Sequence, residues 1–275
     1  MGAPLSMSEL TENEERALLE KIEQGDEAAL EELLTHLQPK LYRFSLKMCR
    51  HEEDAEDVLQ ESMLAFVRSL RNFKGTSRLS TYLYSIARNA CIKKRRTSKF
   101  APKEVLSLNE EGPLTASLAS PNKNPSQDTE NKETWELVKD AIAAMEPAYK
   151  EVLILRDIEG LSAAEVATVT DLSIPAVKSR LHRARAQLRA AINRGPYQIP
   201  EGCPDVRQLF SEFLEDDLSP KLCETMQEHV EVCEHCANEC QGLKHIVHVC
   251  QTAPTTVPPN AARHLRDAIA EALIS

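Results

Sequence analysis

Apolar residues fall at i, i+3 and i+4 along most of this chain, a spacing that predicts helices rather than strands. The pattern begins at Leu18, Leu19 and Ile22 and continues through Ala29, Leu30, Leu33 and Leu34. Leu41, Tyr42, Phe44, Ser45 and Met48 open a next helix, and another starts near Glu53 with Val58, Leu59, Met63, Phe66 and Val67. A break from Asn72 to Ser80, around Gly75, precedes a helix over Thr81 to Arg95 that turns Leu83, Ile86, Ala87 and Ala90 inward. Periodicity then stops. Residues 98–133 are rich in Ser, Pro, Asn and acid and read as a flexible linker. Helix resumes near Trp135 with Leu137, Val138, Ile142 and Met145 on one face.

The next stretch carries the punctuation of two helices around a tight turn. Ser162 and Glu165 fit a capping box, and Asp171, Leu172 and Ser173 make the turn. Ser173 caps the second helix, and Pro175 sits in its first turn, where a missing N–H does no harm. Val177 and Leu181 face inward, while Lys178, Ser179, Arg180, His182 and Arg183 lie on or near the outer face. This is a helix-turn-helix, which places its second helix in a DNA major groove. Arg180 and Arg183 are candidates for base or phosphate contact, and the sequence does not separate the two. Gly195, Pro196, Pro200 and Gly202 mark a boundary, and a Pro-rich break at Pro254 to Pro259 precedes a last amphipathic helix with Leu265, Ile269 and Leu273.

Composition agrees with an all-helical reading: 275 residues, 42% hydrophobic, with only 8 Gly. The formal net charge of -10 looks wrong for a DNA binder until the charge is located. Lys93, Lys94, Arg95, Arg96 and Lys99 form one basic cluster; Lys178, Arg180, Arg183, Arg185 and Arg189 form another. Acid is concentrated elsewhere, at Glu52 to Asp57 and at Glu212, Glu215, Asp216 and Asp217. Charges more than about 10 Å away are screened at ~0.1 M salt, so local sign decides the attraction for phosphate. No basic-plus-apolar leader opens the sequence and no stretch is apolar enough to cross a membrane, so a cytoplasmic protein is expected.

Of 8 Cys, six lie between Cys203 and Cys250. His229, Cys233 and Cys236 form H-x3-C-x2-C, with Cys203 upstream as a fourth candidate ligand. Zinc prefers four tetrahedral nitrogen and sulfur ligands, and such spacings let neighbouring ligands converge within a helical turn. Thiolates also favour copper or cadmium. Cys223 sits beside an apolar run and reads as core, as do Cys49 and Cys91; Cys240, His245, His248 and Cys250 could hold a second metal or serve structure. No nucleophile motif or Gly-rich phosphate loop is present, so no enzyme activity is expected.

The segments DAEDVLQESMLAFVRSL and NFKGTSRLSTYLYSIARNACIKKRR resemble region 2 of extracytoplasmic-function (ECF) sigma factors. The helix-turn-helix, with V-K-S-R-L-H-R-A-R from Val177 to Arg185, resembles their region 4. That resemblance implies core RNA polymerase and promoter DNA as partners. Asp54, Asp57, Gln60 and Glu61 would dock on the β′ clamp helices. Lys74, Thr76, Ser77, Arg78, Tyr82, Arg88 and Asn89 would bind the −10 element, Tyr82 standing where the family commonly has Trp. Ser173, Pro175, Lys178, Ser179, Arg180, His182 and Arg183 would bind the −35 element, and region 4 would meet the β flap.

The Cys-rich tail is similar to a zinc-binding anti-sigma fold, which implies Cys203, His229, Cys233 and Cys236 as ligands and docking of the tail on the sigma domains. The expected architecture is all-α: region 2 over 12–97, a linker over 98–133, region 4 over 134–195, a zinc-binding domain over 203–252 and a C-terminal helix over 260–275. Zinc could be purely structural, or its thiolates could respond to metal or oxidant. The alternative function is a stand-alone helix-turn-helix regulator with a structural zinc domain.

Overall fold

A computed structural model of the chain describes residues 10–49, 51–70, 73, 75, 77–100, 125–193, 198–252, 257–258, 261–263, 265–266 and 268–269. Among these the regular structure is helical: α1 (Glu12–Glu23), α2 (Glu27–Met48), α3 (Glu52–Leu70), α4 (Leu79–Phe100), α5 (Pro125–Ala144), α6 (Pro147–Leu153), a π-helical turn (Ile154–Ile158), α7 (Ala163–Thr170), α8 (Ile174–Asn193), α9 (Val206–Leu214), α10 (Pro220–Val232) and α11 (Glu234–Gln251). The expected all-α class holds. Thr11 and Glu14 form a capping box on α1, Asp26 caps α2, and Ser162 with Glu165 caps α7. Each satisfies backbone N–H groups that have no intrahelical partner.

Two expected helices are one. The stripe Leu30, Leu33, Leu34, Leu37, Leu41 and Phe44 is buried without interruption through Pro39, so α2 continues across it. Burying that stripe outweighs the ~3 kcal/mol a helix-interior proline costs. Leu137, expected inward, is 43% exposed; Val138, Ile142 and Met145 carry the buried face of α5. Helix also extends into the ends of the expected linker, since α4 reaches Phe100 and α5 begins at Pro125. Residues 101–124, along with Lys74 and Thr76, lie outside the described residues.

The apolar core is shared. Buried residues of α1–α4, from Leu18 to Cys91, are continuous with those of α5–α8 and with Leu265 and Ile269 near the C-terminus. The tail has a small core of its own: Val206, Phe210, Cys236, Cys240 and Leu243. Helix α11 belongs to both, because Ile246, Val249 and Cys250 on its later turns join the large core. The tail is therefore packed on the body, not hung from it.

Phe66 is fully buried in α3. Phe66→Ala should lower stability by about 3–5 kcal/mol through lost burial plus a residual cavity, read as a lower urea midpoint at unchanged slope.

Candidate functional site

Three helix ends converge on the metal-ligating set. Cys203 leads into α9, in a turn where its N–H donates to the Pro200 carbonyl at 3.0 Å and Gly202 takes a φ of +83°, a left-handed conformation suited to glycine. Asp205 accepts from the Arg207 and Gln208 N–H groups and starts α9 at the next residue. His229 is in the last turn of α10, Cys233 is the junction of α10 and α11, and Cys236 is in the first turn of α11. All four ligand atoms lie within 4.8 Å of one another. The Cys203 and Cys233 Sγ atoms are 3.7 Å apart, and His229 Nε2 is 3.2 Å from Cys236 Sγ.

A tetrahedral site with Zn–S near 2.3 Å needs sulfurs about 3.8 Å apart, which the Cys203–Cys233 pair meets, and the nitrogen-and-sulfur donor set of one His and three Cys suits zinc. The Cys233 thiol is held below its usual range, first by the backbone N–H of Cys236, which favours the thiolate a metal requires. Burial pushes the Cys236 thiol up to about 12 when only protein surrounds it. Cys240 and Cys250 are buried in apolar cores, and His245 meets Thr134 at 3.3 Å. Among the described residues the only grouping of metal-ligating side chains is the first. Cys223, expected in the core, is half-buried on α10, a helix with no buried residue.

Helix α8 presents its basic residues beside this centre, and the tail covers part of them. Lys178 donates to Asp217 and to the Glu215 carbonyl. Pro175, Lys178, Ser179 and His182 form one wall of a cleft of about 550 Å³, and Gln208, Glu212 and Glu215 stand on the other. Arg185 and Arg189 were expected in an outward basic patch; both are instead turned into ion pairs. Arg185 is bidentate to Asp157 at 2.8 and 2.6 Å and meets Glu215 at 2.8 Å. Burial works against the Arg185 charge, but Asp157 and Glu215 more than offset it and hold the guanidinium protonated. Arg156 also reaches Glu215, at 3.1 Å. Arg189 and Arg207 share Glu239, at 3.0 and 2.8 Å. Ser173 and Arg183 remain exposed.

The residues expected at the −10 element lie on α4 and the turn before it. Ser77 is half-buried, and Arg78 and Asn89 are exposed. Tyr82 is half-buried against Phe73 and Phe66, with ring centroids 5.2 and 6.2 Å away. Arg88 does not face open solvent: its Nε donates to Glu151 at 2.9 Å, and the same carboxylate lies 3.6 Å from Arg180 on α8. One acid thus holds a candidate arginine from each of α4 and α8. Nearby, Glu159 receives Arg43 at 2.7 and 2.6 Å and the Tyr84 hydroxyl at 2.8 Å, its side chain fully buried, while Thr81 donates to Glu165. On α3, Gln60 is exposed, Asp54 and Asp57 pair with Lys94, and Glu61 pairs with Lys93; the Asp57 and Glu61 side chains remain 63% and 54% exposed.

Sequence reasoning missed Glu151, Glu239 and Gly242. A Cβ at position 242 would collide with the Arg189 guanidinium, so this mid-helix glycine is the gap through which Arg189 reaches Glu239. A glycine inside an otherwise periodic helix was the available signal. The acid run containing Glu215 and Asp217 was visible, but its partners were not.

The chain matches the family Sigma-70 region 2 over residues 33–100, Sigma-70, region 4 over residues 135–188, and the family described as Putative zinc-finger over residues 203–237. It is 28% identical over 189 residues to the RNA polymerase sigma-H factor of Pseudomonas aeruginosa, covering 66% of this chain and 96% of that protein. It is 30% identical over 165 residues to the ECF RNA polymerase sigma factor SigM of Mycobacterium tuberculosis, covering 60% of this chain and 77% of the relative. A solved structure of CnrH in complex with the cytosolic domain of CnrY is 22% identical, with a TM-score of 0.48 over 66% of this chain and 99% of that one.

Glu239→Gln should strip part-buried Arg189 on α8 and buried Arg207 of the tail itself of their charge partner, at a cost of about 3–5 kcal/mol to tail folding and docking together. Faster protease cleavage between the body and α9, with α1–α8 still folded, is the expected result.

Proposed function

The chain belongs to the ECF RNA polymerase sigma factors, and from that premise we propose that it is a promoter-specificity factor held in a closed form by its own metal-binding tail. Sigma factors bind core RNA polymerase and promoter DNA, and the relatives are initiation factors, not enzymes. The roles of individual residues in this chain are our reading. Half-buried Asp54 and exposed Asp57, Gln60 and Glu61 share α3 and suit the β′ clamp helices. Lys74, Thr76, Ser77, Arg78, Tyr82, Arg88 and Asn89 suit the −10 element. Ser173, Pro175, Lys178, Ser179, Arg180, His182 and Arg183 suit the −35 element, with region 4 reaching the β flap. A tether between the two readers lets weak contacts at separated boxes act as one. A stand-alone regulator would leave the region 2 match without a purpose. Among the described residues no helix is long and apolar enough to cross a membrane, and we place the action in the cytoplasm.

The observation that carries the regulatory reading is the seating of tail carboxylates on α8. Asp217 on Lys178, Glu215 on Arg185 and Glu239 on Arg189 put protein acids on a helix made to meet phosphate. DNA and tail would compete for this helix.

A metal on Cys203, His229, Cys233 and Cys236 supplies a cross-link between three helix ends, and for so small a domain its binding energy is folding energy. Zinc fits the donor set; copper or cadmium would suit the same thiolates. Glu239 is one turn beyond Cys236, and Glu215 is the C-cap of α9, whose N-terminus follows Cys203 by three residues. Ligand loss would therefore loosen both helices that carry the clamp. Oxidation of the thiolates would do the same.

Transcription with core polymerase tests the arrangement. Asp217→Lys with Glu215→Gln should raise promoter output by roughly tenfold or more, since each ~1.4 kcal/mol removed from the closed form is a factor of ten. Cys233→Ser with Cys236→Ser should change output while residues 1–195 stay folded. Output unchanged in both, across metal and oxidant conditions, would reject regulation by the tail while leaving the sigma activity standing. Separately, Arg183→Ala should weaken −35 recognition by about 1–3 kcal/mol if it reads a base. An equal loss on every sequence would assign it to a phosphate.

A further inference from the structure

Two of the cysteines lie outside the tail, far apart in sequence and side by side in space. Cys49 ends α2 and Cys91 is in the middle of α4, and their Sγ atoms are 3.9 Å apart. Both are free thiols. A sequence reading takes each as a core residue. Cys91 is buried, whereas Cys49 is only half-buried.

The two residues also differ in freedom. Cys91 is fixed inside a helix. Cys49 has left the helix with an extended backbone, at φ -85° and ψ 156°, and its N–H donates to the Ser45 carbonyl at 2.8 Å. A disulfide needs sulfurs about 2.04 Å apart, so they must approach by about 2 Å, within reach of side-chain rotation at a helix end.

We propose that Cys49 and Cys91 are a thiol–disulfide pair in region 2, oxidised by a hydroperoxide and separate from the tail cluster. Cys49 is the attacking sulfur. The Cys49 and Cys91 sulfurs are in hydrogen-bond contact; with Cys91 as donor that bond holds the Cys49 thiol below its usual range, burial and Asp54 oppose the shift, and Lys150 and Lys94 add to it. The hydrogen-bonded Cys91 is held above its own range, first by that bond and then by burial. In the first step the Cys49 thiolate attacks one peroxide oxygen, the O–O bond breaks, and the departing hydroxide takes a proton to become water. Cys49 is then a sulfenic acid. In the second step the Cys91 sulfur attacks the Cys49 sulfur, the S–O bond breaks, and the leaving hydroxide takes the Cys91 proton as a second water. Two thiols are oxidised by two electrons and one peroxide is reduced.

The bond would tie the end of α2 to α4 just beyond Arg88 and Asn89. Lys94, one turn further along α4, pairs with Asp54 and Asp57 on α3, so the staple sits between the DNA-facing and acidic surfaces of region 2. The proposal does not depend on how the tail acts.

The experiment uses the full chain loaded with zinc, so that the tail thiolates are ligated, and titrates it with hydrogen peroxide. One equivalent should remove two thiols, and peptide mapping under non-reducing conditions should join the Cys49 and Cys91 peptides within one chain. Cys91→Ser should stop at the sulfenic acid and be trapped at Cys49 by dimedone. Cys49→Ser should leave Cys91 unlabelled. Wild-type protein that keeps both thiols while its tail cysteines oxidise would overturn the proposal. So would reaction of Cys91 in the absence of Cys49. The wild-type map decides the matter even where a variant fails to fold.

Discussion

An arginine cannot shed its proton, so wherever Arg185 is buried its neighbours are dictated. Its side chain is 6% exposed, and a guanidinium out of water needs acids within reach. One acid is Asp157, on the π-helical turn of the same domain, and the other is Glu215, from the tail. Asp157 makes region 4 self-sufficient: with the tail away, Arg185 keeps one bidentate partner and gains water. Glu215 makes the tail welcome. A wholly apolar contact would be hard to release, and a lone buried charge would not form. The combination gives an interface whose polar half can be exchanged for another polyanion.

The same logic joins the two DNA readers. Glu151 holds Arg88 and Arg180, and Glu159 holds Arg43 and Tyr84, so region 2 and region 4 face each other through acids from region 4 and cations from both. These contacts use residues suited to phosphate. By contrast, the ion pairs on the acidic edge of α3 among the described residues go to Lys93 and Lys94 of its own domain, and Asp57 and Glu61 stay exposed. On the proposed reading, this arrangement withdraws the side chains assigned to DNA more than the acidic ones. Its stability draws on a shared apolar core as well, because Ile246, Val249 and Cys250 of α11 are buried with residues of the body.

Much of this was legible in the sequence, and what was not has a common cause. Helix periodicity located α1 to α8 and the ligand set, because both are local: an apolar stripe repeats every three or four residues, and a metal site built on helix ends keeps its spacing. The helix expected to open at Leu41 is instead the second half of α2, because burial along its whole length carries it through Pro39. Arg185 and Arg189 were read as solvent-facing for want of their partners, which are 28 to 50 residues away. Net charge could not separate a phosphate-binding arginine from one neutralised within the protein. Gly242 was the single local trace of that long-range pairing.

The metal centre and the clamp are too close to be independent. Cys236 and Glu239 are successive inward positions on α11, both buried, and Cys203 begins the segment that ends in Glu215. Helix α10 contributes no buried residue, so the tail core is Val206, Phe210, Cys240 and Leu243 gathered around the ligands themselves. A core that small cannot by itself outweigh the ~1–2 kcal/mol per residue needed to order its backbone. The later turns of α11 buried in the shared core, the ion pairs to α8 and a metal on the four ligands would together supply the difference. Each support then strengthens the other: a ligated tail presents its acids in register, and a docked tail holds its thiols together. Coupling of that kind would, on the proposed function, make the state of four ligand atoms visible at α8 without any separate relay.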